Sequence, residues 1–273
     1  MRLSVTVLFT AAALTLNLPL RAQGWPAAGQ KTSQETCSAN NFHSDGLVSY
    51  AESRQQRVAS ASENYINPGV NGSIKVHGWQ NGEVLVTACL QTAAESQGDA
   101  EALAKQVTIV KGPGAIEPEG PATDSQHYWG VSYEVWLPNS SNVKMDAHNG
   151  SIAVDGLRGQ IHFHTLNGSI KLSGVGGDVD GATTNGSITV DLVGSGWNGN
   201  GLKVETTNGS VRLNLPQNFS ARVEASTVNG SLRTDFPITV SGEIRHDLSF
   251  VLGSGGPDVA VHTVNGSVHI GRI

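Results

Sequence analysis

Histidine and aspartate side chains recur at alternate positions in the second half of the chain, where they could bind a metal or transfer protons. The residues concerned are Asp146, His162, His164 and Asp180. Residues at alternate positions of a β-strand point to the same face of a sheet, and His is the commonest metal ligand in proteins. The simpler interpretation is a row of solvated ion pairs, each contributing about 0–1 kcal/mol to stability. The regular Asp repeats of calcium-binding β-rolls are missing, so we predict no bound metal or cofactor.

Basic side chains form a second pattern with a regular spacing. Lys171, Arg212 and Arg233 each lie four places after the Asn of an Asn-Gly-Ser triplet, and Lys75 and His269 occupy equivalent positions. On stacked strands they would form a mostly basic stripe, with Ala153 and Thr189 at two of its positions. Such a stripe could bind an anionic polysaccharide or lipid headgroups. The alternative is that these residues serve only solubility. The net charge of −6 and the lack of a Lys- or Arg-rich run argue against a nucleic-acid-binding protein.

Known catalytic motifs are absent from the sequence. The Gly-rich segments GSGWNG and VLGSGG have no Lys or Ser/Thr placed to hold a phosphate, and no G-x-S-x-G motif occurs. Ser, His and Asp are all present, but nothing in the sequence brings them together as a triad. We therefore predict no catalytic residues and a protein that is not an enzyme.

Repeated Asn-Gly-Ser triplets would position the side chains described above. They begin at Asn71, Asn149, Asn167, Asn185, Asn208, Asn229 and Asn265. The gaps among the last six are 18, 18, 23, 21 and 36 residues. The final gap is twice 18, which predicts a repeat whose turn has been lost, and the segment that begins at Asp247 is its candidate.

Apolar residues alternate with polar ones on both sides of each triplet. Around Asn167, for example, Ile161 and Phe163 precede the turn and Ile170 and Leu172 follow it. This period of two predicts two short strands per repeat, each with one buried face. Asn-Gly suits a tight turn in which both central residues must tolerate positive φ. Identical Asn side chains on strands about 4.8 Å apart could also form an amide ladder.

The pattern predicts an all-β fold over residues 139–273. A β-solenoid or β-roll with two-strand rungs of about 18 residues explains why equivalent positions carry the same residue type, since only there do like residues touch. An antiparallel β-meander is the alternative, because the same period of two would fit its hairpins.

The first 138 residues differ from the repeats and divide into three segments. Residues 1–22 have an early Arg, an apolar stretch and a small-residue cleavage context, which predict a signal peptide. Residues 23–63 predict a flexible leader, ordered mainly near Cys37. Residues 64–138 predict a β-hairpin made from GSIKVHG and GEVLVTACL, followed by a short helix with Asp99 as its N-cap, which together cap one end of the repeats.

Export would bring the two cysteines of the chain into an oxidising compartment. Cys37 and Cys89 could then form a disulfide that joins the leader to the body of the protein. The alternative is two unrelated free thiols.

The run TVNGSLRTDFPITVSGEIRHDLSFVLGSGGPDVAVHTVNGSVHI resembles the closing pattern of the DUF4097 family, bacterial β-strand-repeat proteins often labelled "putative adhesin". The resemblance covers residues 64–273 and includes the segment IKVHGWQNGEV and the predicted helix. It implies an exported all-β repeat domain in the bacterial envelope, without established catalysis, and it carries over no catalytic residues.

These observations predict an exported, non-catalytic structural or adhesin-like module of the bacterial envelope. It would lie in the periplasm, at the cell surface or outside the cell, with no transmembrane segment after signal removal and with an envelope polysaccharide or a protein as partner. One alternative is an envelope-stress or signalling protein that binds a periplasmic partner. Another is a carbohydrate-active β-helix enzyme, which rests on fold analogy alone.

Overall fold

The described part of the protein contains two stacked β-sheets and one helix. The computed structural model describes residues 37–39, 42, 46–238 and 246–273, and the predicted signal peptide lies outside these residues. In chain order the elements are β1 Val48–Ala59, β2 Glu63–Ile66, β3 Ile74–Trp79, β4 Glu83–Ala94, α1 Gln97–Gln106, β5 Ala115–Ile116, β6 Tyr128–Pro138, β7 Asn142–Asn149, β8 Ile152–Asp155, β9 Gln160–Asn167, β10 Ile170–Ser173, β11 Gly177–Asn185, β12 Ile188–Asp191, β13 Gly199–Asn208, β14 Val211–Leu215, β15 Ala221–Asn229, β16 Leu232–Thr234, β17 Asp247–Leu252, β18 Asp258–Asn265 and β19 Val268–Arg272.

Each Asn-Gly-Ser repeat forms one rung whose two strands lie in different sheets. The strands before the triplets form the pre-turn sheet, in the order β17-β15-β18-β13-β11-β9-β7-β2-β5. The strands after the triplets belong to the post-turn sheet, in the order β1-β4-β6-β3-β8-β10-β12-β14-β19-β16. Consecutive rungs pair in parallel, as β9 does with β7 and β11. The predicted solenoid-like fold is confirmed, and the antiparallel meander is wrong.

Apolar side chains from both sheets fill the space between them. In one rung Ile161 and Phe163 face inward from β9, and Ile170 and Leu172 face inward from β10, each at most 4% exposed. Burial of each such side chain stabilises the fold by about 1.5–3 kcal/mol. The period of two in the sequence is thus the alternation between the core and the outer faces.

The glycine of each triplet is required by the close approach of neighbouring rungs. A Cβ atom on Gly186 would lie 2.0 Å from the carbonyl oxygen of Gly168, and one on Gly168 would lie 2.0 Å from that of Gly150. Among the described residues, positive φ occurs only at glycines outside the triplets. The prediction that Asn-Gly serves positive φ is therefore wrong, because the turn joins two sheets instead of closing a tight hairpin.

Two kinds of side-chain hydrogen bond join the turns of neighbouring rungs. The buried hydroxyl of Thr183 donates to the Gly168 carbonyl of the neighbouring rung at 2.8 Å. The Asn185 amide donates to the Asn167 amide oxygen, also at 2.8 Å. The amide ladder runs through all seven triplets, in the order Asn229, Asn265, Asn208, Asn185, Asn167, Asn149 and Asn71.

The last rung of the chain lies between two rungs that precede it in sequence. Strand β18 pairs in parallel with β13 and β15, and β19 pairs with β14 and β16. We call β18 and β19 the returning rung. The segment from Asp247 forms β17, which pairs antiparallel with β15 at the sheet edge. The prediction of a lost repeat there is wrong, because β17 carries the chain back so that β18 can enter beside β13.

The post-turn sheet extends beyond the first rung through strands β6, β4 and β1. Strand β4 pairs antiparallel with β1 and β6, whereas β3 pairs in parallel with β6 and β8. The predicted β3–β4 hairpin is therefore wrong, because β6 lies between the two strands. Pairing with β6 gives β4 a longer ladder than a hairpin with the six-residue β3 would.

The prediction that residues 23–63 form a flexible leader is also wrong for the part that forms strand β1. Its half-buried, polar sequence carries little hydrophobic period, and backbone pairing with β4 orders it.

Helix α1 packs against β4 and β1 with Leu103 and Ala104 buried. Its N-cap is Ser96, whose hydroxyl accepts from the Asp99 backbone N–H, so the helix begins before the predicted cap at Asp99. At the other end the Arg54 guanidinium donates to the Ala104 carbonyl at 2.7 Å.

Within the part of the chain that the structure describes, no helix is both long and apolar enough to cross a bilayer.

A disulfide joins Cys37 to Cys89 of β4 across 52 residues of sequence. Beside it the Gln91 side chain donates to the Ser38 carbonyl at 2.7 Å. The leader is thus attached to the outer face of the post-turn sheet at the place that the sequence predicts.

Replacing Gly186 with Ala should separate two stacked turns, because the new methyl group would meet the Gly168 carbonyl at 2.0 Å. We expect a loss of about 3 kcal/mol in the free energy of unfolding, at the upper end of the usual cost of overpacking. Denaturant unfolding measures this loss. The matched control is Gly82→Ala in an open loop with no atom within 4 Å of the new Cβ, where a change within about 0.5 kcal/mol is expected. Equal stability of the two variants would contradict the close-approach explanation.

Candidate functional site

A basic groove lies on the outer face of the post-turn sheet, at the returning rung. Arg212 on β14, His269 on β19 and Arg233 on β16 occupy aligned positions on three adjacent strands. The groove has a volume of about 530 Å³. Because neighbouring strands lie about 4.8 Å apart, the two arginines project from backbones about 10 Å apart, on either side of His269.

The two arginines of the basic groove have no ion-pair partner among the described residues. Among the described residues, neither Arg212 nor Arg233 forms an ion pair, whereas His269 Nε2 lies 3.2 Å from Asp235 Oδ1. The hydrogen bond with His269 lowers the pKa of the Asp235 carboxyl below its ordinary value. The groove thus offers two guanidinium groups to a ligand.

Serine side chains of the triplets form the wall of the basic groove. These are Ser187, Ser210, Ser267 and Ser231 on four adjacent rungs. The Ser267 backbone N–H donates to the Ser210 hydroxyl at 3.3 Å, and the Ser231 and Ser267 hydroxyl oxygens lie 3.0 Å apart. Guanidinium groups beside hydroxyl groups can bind carboxylate, sulfate or phosphate and can also hydrogen-bond to sugar hydroxyls.

Lys171 lies in the same row of aligned positions as Arg212 and Arg233, with one neutral residue between it and Arg212. It lies on β10, and Thr189 of β12 occupies the position between Lys171 and Arg212. Their backbones are therefore about 10 Å apart. Thr189 is one of the neutral positions within the predicted stripe, and the basic groove is the part of the row where Arg212, His269 and Arg233 are consecutive.

An acidic groove lies on the opposite face, on the outside of the pre-turn sheet. Ala260 of the returning rung lies between Lys203 of β13 and Glu224 of β15, and its small side chain leaves a depression of about 430 Å³. The groove is lined by the polar side chains of Lys203, Glu205, Glu224, Ser226, Asp247, Ser249 and His262.

Charges in the acidic groove are only partly paired. Lys203 Nζ lies 2.8 Å from Glu205 Oε1, and this hydrogen bond raises the pKa of Lys203. Within the described ranges, Glu224 and Asp247 form no ion pair. Among the described residues the groove therefore presents two carboxylate side chains that have no basic partner.

Ser226 and His262 form a hydrogen-bonded pair in the acidic groove, with 2.7 Å between Ser226 Oγ and His262 Nδ1. A Ser–His pair can act as nucleophile and base when a carboxylate orients the imidazole. No carboxylate in the described part of the chain hydrogen-bonds to His262, and the neighbouring Glu205 is bonded to Lys203. The pair lacks the third group of a triad.

The outward His and Asp side chains singled out from the sequence lie on neighbouring strands. Asp146 is aligned with His164, and His162 is aligned with Asp180. In the ranges that the structure covers, no group of three or more His, Cys, Asp or Glu side chains could hold a metal ion. Asp146 instead lies 3.8 Å from Lys144 Nζ. The residues form a charged surface without the convergence that a metal centre requires.

Sequence reasoning missed a charged network at His77 near the first rung. His77 Nδ1 lies 2.5 Å from Asp155 Oδ2 and its Nε2 lies 3.0 Å from Glu134 Oε1. The imidazole stacks on Trp136, and Lys75 lies 3.1 Å from Glu134. These residues come from β6, β3 and β8, so no local spacing could have shown that they meet.

The His77 network shifts the pKa values of its members. Burial alone would lower the pKa of His77, but the hydrogen bond to Glu134 and the charge of Asp155 outweigh it and raise the pKa above its ordinary 6.5. The hydrogen bond from His77 lowers the pKa of Glu134 below its ordinary 4.5. Charged His77 therefore stabilises the fold together with charged Glu134.

The repeat architecture corresponds to a known family. The model of the family described as "Toastrack DUF4097" matches residues 65–271. The chain belongs to the DUF4097 family. No curated protein has a sequence that matches this DUF4097 protein.

Three crystal structures resemble this DUF4097 protein at low identity. A "putative cell adhesion protein" from Clostridium sporogenes ATCC 15579 is 14% identical, with a TM-score of 0.48 over 82% of this chain and 100% of that chain. A "putative adhesin" from Bacteroides fragilis NCTC 9343 is 12% identical, with a TM-score of 0.35 over 82% and 97%. A "putative lipid binding protein" from Parabacteroides distasonis ATCC 8503 is 11% identical, with a TM-score of 0.33 over 81% and 96%.

Replacing His77 with Gln should destabilise this DUF4097 protein in a pH-dependent manner. A raised His pKa gives stability that is fully present below pH 6.5 and is lost as the pH rises through the folded-state value. The lowered Glu134 pKa gives stability that is present above pH 4.5 and is lost at lower pH. The difference from the unsubstituted protein should therefore be greatest between pH 4.5 and 6.5, at about 1–3 kcal/mol.

Unfolding in denaturant over a pH series measures this difference. The control is His164→Gln on the exposed face of β9, for which no such pH-dependent loss is expected. A His77→Gln deficit that stays constant from acid to alkaline pH would contradict the role of the charged imidazole.

Proposed function

We propose that this DUF4097 protein is an exported, non-catalytic module of the bacterial envelope that binds an anionic polysaccharide through the basic groove. The observation that carries the proposal is the position of Arg212 and Arg233 on either side of His269, with no ion-pair partner in the part of the chain that the structure describes. Two guanidinium groups at this separation can engage successive acidic groups of one polymer.

Export is supported by two features of the N-terminal part. Residues 1–22 have the pattern of a signal peptide, and Cys37 is bonded to Cys89. Disulfides persist mainly outside the reducing cytosol. Both features fit a protein of the periplasm, the cell surface or the extracellular space.

A binding role is supported over catalysis by the nature of the grooves. The basic groove holds cations and hydroxyl groups, and the Ser226–His262 pair on the other face lacks an orienting carboxylate within the described residues. Parallel rungs also hold the outward side chains at fixed spacing, which suits recognition of a repeating ligand.

A polysaccharide fits the basic groove better than a bare lipid surface does. The apolar residues at the groove are Ile188, Val211 and Val268, and all three are buried in the core. Insertion into a bilayer interface needs exposed apolar side chains. The exposed surface here consists of guanidinium, imidazole and hydroxyl groups, which match acidic groups and sugar hydroxyls.

Replacing Arg212 and Arg233 together with Ser should weaken binding to a polyanion about 30-fold, because each basic residue near an anionic surface contributes about 1 kcal/mol. The probe is dextran sulfate, with uncharged dextran as the comparison, and titration at low and high salt gives the affinity. Co-sedimentation with isolated envelopes and peptidoglycan then tests the natural setting. Retention of the unsubstituted protein should fall at high salt, since salt screens exposed charges.

The control variant removes two exposed charges elsewhere, Lys105→Ser with Arg158→Ser. It should bind dextran sulfate as the unsubstituted protein does. If both double variants lose affinity equally, the basic groove is not the binding site. If the unsubstituted protein binds neither the polymer nor envelopes, the proposal is lost, and a periplasmic protein partner should be sought by crosslinking.

A further inference from the structure

We propose that copies of this protein associate with one another, with the basic groove of one copy seated on the acidic groove of the next. This contact goes beyond the proposed polysaccharide binding, because it uses a second surface and a protein partner of stated identity. The resulting assembly is a chain of copies held by charge.

The two grooves lie back to back at the same rungs. Strand β18 of the returning rung supplies Ala260 and His262 to the acidic groove, and β19 supplies Ser267 and His269 to the basic groove. Because β18 and β19 belong to different sheets, their outward side chains face opposite directions. A copy can therefore contact one neighbour on each side.

The charges of the two grooves are complementary in sign and number. The basic groove presents Arg212 and Arg233, and the acidic groove presents Glu224 and Asp247. In the described part of the chain these four side chains form no ion pair with other residues. Arginine–carboxylate pairs form two parallel hydrogen bonds and are among the stronger polar contacts in proteins. The guanidinium groups of the basic groove can therefore pair with the carboxylates of the acidic groove of another copy.

The geometry of the two faces also matches. Both outer faces consist of parallel strands about 4.8 Å apart, so their side chains project on grids with the same spacing. Hydroxyl groups stand beside the charges on each side, Ser226 and Ser249 in the acidic groove and Ser231 and Ser267 in the basic groove. Charges on one face can therefore meet charges on the other across several rungs.

A second copy is the occupant that these observations favour, since both surfaces belong to one chain. The contact joins two different patches, so it is heterologous and does not close into a two-fold dimer. Repetition of such a contact gives an open filament or a ring. An anionic polymer would compete for the same arginines, so binding of the polymer should take the assembly apart.

Two charge-reversal variants test the contact, Arg212→Glu with Arg233→Glu and Glu224→Lys with Asp247→Lys. Analytical ultracentrifugation at low salt should show the unsubstituted protein in species larger than a dimer, which grow with concentration and dissociate at high salt. Each variant alone should be monomeric, because both of its grooves then carry charges of the same sign. An equal mixture of the two should associate again, because the intact acidic groove of one variant can pair with the intact basic groove of the other. The two reversed grooves also carry opposite charges and can pair with each other.

Binding of dextran sulfate separates this inference from the proposed function. The Glu224→Lys, Asp247→Lys variant should stay monomeric and bind the polymer at least as tightly as the unsubstituted protein does, because its basic groove is intact. Circular dichroism and thermal unfolding verify that both variants fold. A monomeric unsubstituted protein at low salt and high concentration would overturn the inference, and so would undiminished association of either variant alone or a mixture that fails to associate.

Discussion

The contact between stacked turns is the interaction on which the rest of the structure depends. The triplet glycines let the backbones approach so closely that Thr183 donates to Gly168 and Asn185 donates to Asn167. These bonds recur between the turns of neighbouring rungs and so hold the strands in register. A slip by one residue would turn the buried side chains outward. Both grooves exist only because the register brings residues far apart in the chain to aligned positions.

The returning rung then decides where the functional surfaces lie. Its insertion places His269 between Arg212 and Arg233, and on the other face it places Ala260 between Lys203 and Glu224. The position of the returning rung therefore produces both the cluster of basic side chains on one face and the depression with carboxylates on the other. Substitutions in β18 or β19 that change the rung position should affect both surfaces together.

Charges are distributed unevenly along the stack. Near the first rung, His77 is held between Glu134 and Asp155, and these partly buried groups satisfy one another. Near the returning rung, Arg212 and Glu224 project to solvent with no ion-pair partner among the described residues. Exposed ion pairs add little to stability, so leaving these side chains unpaired costs the fold little and keeps them open to a ligand or another copy.

The sequence by itself determined the rungs, because the alternation of Ile161, Phe163, Ile170 and Leu172 around a triplet is a local pattern that repeats with constant phase. It also pointed to the disulfide and to the family. It could not determine the order of the rungs, the pairing of β3 with β6 or the glycine contacts between turns. Those features arise from backbone hydrogen bonds and close packing between segments far apart in the chain, and strand neighbours of that kind leave no local periodic signal. Only the tertiary structure therefore decided that His269 lies between the two arginines.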